Sequence, residues 1–107
     1  MDQTGTFPYG IKNDQGEFCR DFVLKERTFR HTLELANDPT INKDLLNDPA
    51  YYDAAIISKR IAVAGIAKLT PDMVLDLEGE DGDAVANAIM TLDQRRSEFR
   101  NAQFPTT

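Results

Sequence analysis

Apolar positions are densest in residues 48–66, where Tyr52, Ile56 and Val63 form one stripe at helical spacing and Ile57, Ile61 and Ala64 form a second. Both ends of this stretch carry helix punctuation. Asp48 suits the N-cap, Pro49 the first helical position, where its missing N–H costs nothing, and Gly65 a left-handed position just past the end. The pattern predicts a central buried helix over 49–64, and two apolar stripes require neighbours on two sides. Asp53 and Arg60 share one gap between the stripes, where they read either as a functional pair or as a salt bridge at the edge of the core.

Upstream, the period changes from 3.6 to 2. Phe7, Tyr9 and Ile11 alternate within a strand predicted over 6–12, and Phe18, Phe22 and Leu24 within a second over 17–25, which Arg20 interrupts. Asn13-Asp14-Gln15-Gly16 between them closes a β-hairpin, and Pro8, which cannot donate to a ladder, marks the first strand as an edge. Thr28 caps a short helix reaching about residue 36, with Phe29, Leu33 and Ala36 on one side; Asn37-Asp38-Pro39 ends it. Ile41 and Leu45, four apart, allow one or two helical turns in the polar connection that follows. Beyond the central stretch, Thr70 caps a further helix that Pro71 opens, Asp72 favours through the dipole, Leu69 staples against Val74 and Gly79 stops. A last helix is expected over 83–102, its stripe made by Val85, Ala88, Ile89, Leu92 and Phe99, and residues 104–107 are expected to fray. These elements predict an α+β fold: an N-terminal β-hairpin, then a small bundle of about four helices around the central one. A chain of 107 residues fits a single domain spanning 1–107, with an ordered core of about 6–102.

Charge changes the picture because it is unevenly placed. Residues 70–84 hold six carboxylates (Asp72, Asp76, Glu78, Glu80, Asp81 and Asp83) and no base, so the net charge of −6 belongs to that segment. An acidic chain without a basic stripe is repelled by phosphate backbones, so no nucleic-acid partner is expected. No membrane partner is expected either, since the longest apolar run, 61–67, falls far short of the ~20 residues of a spanning helix. The opening Met1-Asp2-Gln3-Thr4-Gly5 has no signal-peptide character, and a single cysteine, Cys19, suits a reducing cytoplasm.

Candidate chemistry is sparse. Cys19 with His31 has the residue types of a thiol nucleophile and its base, but nothing supplies an orienting group or oxyanion site; the plainer reading is a small strand hydrophobe and a surface or boundary histidine. The acidic run fails as an EF-hand: Gly82 at the sixth loop position puts Leu77 first, and Gly79 there puts Val74 first. No phosphate loop occurs, and the tyrosines and phenylalanines stand at core spacing rather than along a basic groove. No catalytic, metal or cofactor residue is assigned.

The order of elements carries a family resemblance. The hairpin with its Asp/Gly turn, the helix opening at Arg27-Thr28-Phe29-Arg30, the Ile57-Ser58-Lys59-Arg60-Ile61-Ala62 helix and the Leu69-Thr70-Pro71-Asp72-Met73-Val74-Leu75-Asp76-Leu77 stretch before a final helix resemble the tail assembly chaperones of contractile-tailed Mu-like and P2-like phages and prophages. The likeness covers residues 7–102; the run 78–83 departs from the usual pattern where the last helix begins. It implies a non-enzymatic assembly factor that binds the helical tape-measure protein in the bacterial cytoplasm and is absent from the mature virion. Self-association is a further option. The other readings are a structural tail or connector component and an acidic adaptor for a host protein. If the partner is an amphipathic helix, Phe29, Leu33, Tyr51, Tyr52 and Phe99 are the candidate contacts, and the competing reading places all five in the core.

Overall fold

The computed structural model describes residues 2–103, and the fraying expected of residues 104–107 lies outside them. The architecture is α+β. Strands β1 (Asp2–Lys12) and β2 (Phe18–Lys25) form the expected hairpin, followed by helix α1 (Phe29–Asn37), a 3-10 turn (Lys43–Asn47), helix α2 (Pro49–Arg60), strand β3 (Ile61–Val63), helix α3 (Pro71–Leu75) and helix α4 (Gly79–Gln103). The sheet is antiparallel with order β1-β2-β3, so β1 is an edge, as Pro8 requires.

Beyond β1, which begins at Asp2 rather than at residue 6, two boundaries differ from the sequence expectation. The central helix stops at Arg60 rather than running to 64, and the next three residues become β3, with Ile61 opposite Leu24, Ala62 opposite Val23 and Val63 opposite Phe22. Ile61 and Val63 are buried and Ala62 is exposed, which is a strand's alternation compressed into three residues. Such a run fits a helical stripe equally well on paper, whereas in the fold it satisfies the free edge of β2. Gly65 has the positive φ expected of it, 93°, but in a turn closed by Ile66 N–H to Val63 C=O at 3.0 Å rather than at a helix end. A Cβ there would also lie 2.6 Å from Cys19 Sγ, so glycine is required twice over. The second difference is α4, which begins at Gly79, four residues before the expected start, and takes the acidic run into its first turns.

The core has two parts. Phe7, Phe22, Leu24, Ile61, Val63, Leu69, Val85, Ala88 and Leu92 join the sheet to α4, with the Phe7 and Phe22 rings stacked at 4.6 Å between centroids. Leu35, Ile41, Tyr51, Ala55 and Ile56 join α1, the 3-10 turn and α2. Ile57 packs on the first cluster, so α2 does bury two sides, as its stripes require.

The β1 bulge is held by side chains from elsewhere. Its register shifts between Thr6 and Ile11, which leaves the intervening backbone groups without ladder partners. Asp81 in the first turn of α4, fully buried, accepts from the N–H groups of Tyr9 (to Oδ1) and Gly10 (to Oδ2), both at 2.9 Å, while Arg20 Nε donates to the Phe7 carbonyl at 2.7 Å. Gly10, at φ 101°, permits the twist; a Cβ there would meet the Cys19 carbonyl oxygen at 2.7 Å. The bulge turns Tyr9 outward to 53% exposure, off the face it was expected to share with Phe7 and Ile11. Cys19 is half-buried against the sheet core, close to the small-hydrophobe reading.

Candidate functional site

The sequence candidates separate once placed. On α1, the spacing that puts His31 and Leu35 inward puts Phe29 and Leu33 outward, one turn apart, at 71% and 47% exposure. Phe99 is 62% exposed, because α4 buries nothing after Leu92 and residues 93–103 are all exposed. The stripe expected to carry Phe99 into the core therefore ends at Leu92, about two turns earlier than its periodicity suggests. Tyr51 is corrected to a core residue: it is 8% exposed and its hydroxyl accepts from Asn42 N–H at 3.1 Å. Tyr52 is half-buried, and its hydroxyl accepts from Arg27 at 3.1 Å, with the guanidinium 6.0 Å from the ring centroid.

His31 is corrected too, from a surface or boundary residue to a buried one at N3 of α1. Its Nδ1 accepts from Thr28 N–H at 2.9 Å, taking the place that Glu or Gln has in a capping box. Burial pushes its pKa below the ordinary value, helped by Arg60 and Lys25 and opposed by Glu34. Cys19 and His31 are thus engaged with different neighbours, Gly65 and Thr28, and no pairing between them is seen among the described residues.

Arg60 organises the charges near α1. It is 6% exposed and donates from Nε to the Lys25 carbonyl at 2.9 Å, while Asp53, its expected partner, is exposed. Burial lowers the Arg60 pKa first; Asp93 and Glu26 oppose the shift, and Arg27 and Arg96 add to it. Arg27 precedes α1 and Arg96 lies on the exposed end of α4, so Arg60 marks where these two elements come within electrostatic reach.

A second polar centre was missed in the sequence, where Asp38 served only as punctuation. Asp38 Oδ1 accepts from Thr40 N–H at 2.9 Å and from the Thr40 hydroxyl at 2.6 Å, and Oδ2 pairs with Lys59 of α2 and with Lys68 at 3.2 Å. Lys59 first, then Thr40, hold its carboxyl far below the usual carboxylate range. The Asx geometry of Asp-Pro-Thr was the available signal, but the lysine partners are 21 and 30 residues away in sequence. This carboxylate ties the end of α1 to α2 and to the segment before α3.

Of the six acids in 70–84, Asp81 is the buried clip on β1, and the other five are solvent-exposed around α3 and the start of α4 beside Leu75, itself 49% exposed. Among the described residues no three of His, Cys, Asp and Glu converge as a metal site would require. A shallow depression over the open face of the sheet, bounded by Thr4, Thr6, Asp21, Val23 and Ala62, has Asp21 as its one ionisable side chain, already bonded by the Thr6 hydroxyl at 3.3 Å. No helix among the described residues is long and apolar enough to cross a membrane. What the described residues present at the surface is a set of exposed apolar side chains, Phe29 and Leu33 on α1 and Phe99 on α4. Comparison with family models, with curated proteins and with solved structures gave no match.

Proposed function

We propose that the chain is a tail assembly chaperone of a contractile-tailed phage or prophage, which covers apolar stripes of the tape-measure protein in the bacterial cytoplasm until tube subunits replace it. The observation that carries this reading is the outward placement of Phe29 and Leu33 at i and i+4 on α1, with Phe99 on the exposed end of α4. Large apolar side chains at helical spacing, exposed on a chain that buries two clusters elsewhere, match what an amphipathic helix needs from its receptor. The resemblance in element order supplies the identity of that helix. Within this reading the helices act as a scaffold around α2, and the chain performs no bond chemistry.

Co-expression with the tape-measure protein tests it. The chaperone should co-purify with the tape-measure protein, keep it in the soluble fraction, and be missing from purified particles. Stoichiometric presence in finished particles would instead make the chain a structural tail or connector component. Retention of a host protein in the absence of all other phage proteins would make it an adaptor.

A further inference from the structure

Among the described residues between Leu24 and Leu35, only His31 is buried, at 7% exposure. The start of α1 is therefore seated on the body by a single side chain, and that side chain titrates. Phe29 and Leu33 lie on the same stretch and point outward. We propose that His31 is a proton-operated latch: neutral, it holds the start of α1 in its seat; protonated, it lets residues 28–34 come away while the rest of the chain stays folded.

Three observations carry the latch. First, His31 and Thr28 exchange two hydrogen bonds: Thr28 N–H donates to His31 Nδ1 at 2.9 Å, and His31 N–H donates to the Thr28 carbonyl at 3.1 Å. Nδ1 accepts only while it carries no proton. Once it has one, two donors face each other and the Thr28 N–H loses its acceptor. Second, His31 occupies N3, at the positive end of the helix dipole, where the first turn holds no acid and already holds Arg30. A further cation there weakens the helix start. Third, the ring is buried, which disfavours its charged form, and Arg60 at the end of α2 and Lys25 at the end of β2 act in the same direction. Glu34, one turn along α1, and the Thr28 backbone favour the charged ring, and Arg60 itself feels Asp93 and Glu26 as well as Arg27 and Arg96. Burial leads all of these, and the net shift disfavours protonation in the seat.

The opening stays local for two reasons. The apolar cluster that joins the sheet to α4 contains no residue of α1. At the other end of α1, Asp38 is tied to Lys59, and its carboxyl, held far below the usual carboxylate range, stays ionised wherever a histidine titrates. A released His31 titrates near the ordinary value of about 6.5 and a seated one below it. The opening equilibrium therefore grows as the pH falls through that value, by up to about tenfold per pH unit, and levels off below the seated pKa.

Amide hydrogen exchange of the full chain, followed by NMR from pH 7.5 to 5.5 and corrected for the intrinsic pH dependence of exchange, tests the latch. Protection of amides 31–34 should fall by about three- to tenfold over that interval. Low concentrations of urea should hardly change their exchange, because little surface is exposed, whereas β2 amides, which exchange on global unfolding, should respond strongly. The ring signal of His31, the chain's one histidine, should titrate below about 6.5. His31→Gln, which keeps an acceptor without a proton, should make the protection of these amides independent of pH. Glu34→Gln, at an exposed position, removes a carboxylate that favours the charged ring and should deepen the loss at pH 5.5. Wild-type protection that does not change with pH, amides 31–34 that share the urea response of β2, or a pH-dependent loss that persists in His31→Gln overturns the proposal. Where His31→Gln leaves the start of α1 unprotected at every pH, Glu34→Gln decides, and a loss no deeper than the wild type's overturns it.

One consequence rests on the chaperone reading: with Phe29 and Leu33 inside the released segment, capture of the tape-measure protein should weaken over the same pH interval and persist in His31→Gln. Opening of the segment without loss of capture rejects Phe29 and Leu33 as the contacts and leaves the latch standing.

Discussion

Two backbone amides that the sheet cannot pair, those of Tyr9 and Gly10, end on one buried carboxylate, Asp81, at 2.9 Å each. A carboxylate is all acceptor, and each of its oxygens takes one donor here. Asp81→Asn presents an NH2 group to one of those N–H groups and leaves a buried donor without an acceptor. We expect a loss of about 2–3 kcal/mol, read as a lower urea midpoint, with the bulge loosened rather than the ladder lost. His31 makes the opposite kind of bond, accepting through a ring nitrogen that must stay unprotonated to do so. Its folded pKa lies below its unfolded value, so between the two the unfolded chain holds more protons and stability rises with pH. Stability should therefore fall as the pH is lowered through roughly 6.5, the ordinary histidine value. His31→Gln, which keeps an acceptor at N3, should flatten that dependence, and because His31 is the chain's one histidine the flattening is simple to read in thermal melts at a series of pH values.

Between elements, the most consequential junction is the change from α2 to β3 at residues 60 and 61. Arg60 Nε to Lys25 O on one side and Ala64 N–H to Asp21 O at 3.0 Å on the other bracket the three paired residues of β3. The turn that follows depends on Gly65 lying against Cys19. Gly65→Ala meets both a positive φ and the sulfur, and should cost about 2–3 kcal/mol. In a Cys19→Ala background the nearest remaining Cys19 atom is Cβ, at 3.7 Å, so only the backbone strain persists and the cost should drop to about 1 kcal/mol. A double-mutant cycle on denaturation free energies measures that difference. The periodicity of residues 48–66 identified α2 and both of its buried sides, but its apolar positions at 61 and 63 obey helix and strand patterns alike. What decided between them was the unpaired edge of β2, some forty residues earlier in the chain.

Across the whole molecule, two apolar clusters hold the body together and α4 outruns both. Residues 94–103 bury no side chain, so a chain ending at Asp93 should keep its cooperative unfolding and lose no more than about 0.5 kcal/mol, as calorimetry can establish. With Phe99 as a partner contact, the same truncation should weaken capture of the tape-measure protein, which separates the role of the end of α4 from folding. By itself the sequence determined the α+β class, the hairpin and its turn, the edge position of β1, the capping residues of α1, α2 and α3, and the location of the excess negative charge. Those features follow from local chemistry: side-chain period, φ preference, a missing N–H, a carboxylate near a helix start. Only the tertiary structure decided that Asp81, among six neighbouring acids, is internal, that Asp38 has lysine partners, that β3 exists, and that Phe29, Leu33 and Phe99 face solvent while Tyr51 does not. Each of those depends on which distant backbone group or side chain arrives opposite a residue, and neither spacing nor composition encodes that arrival.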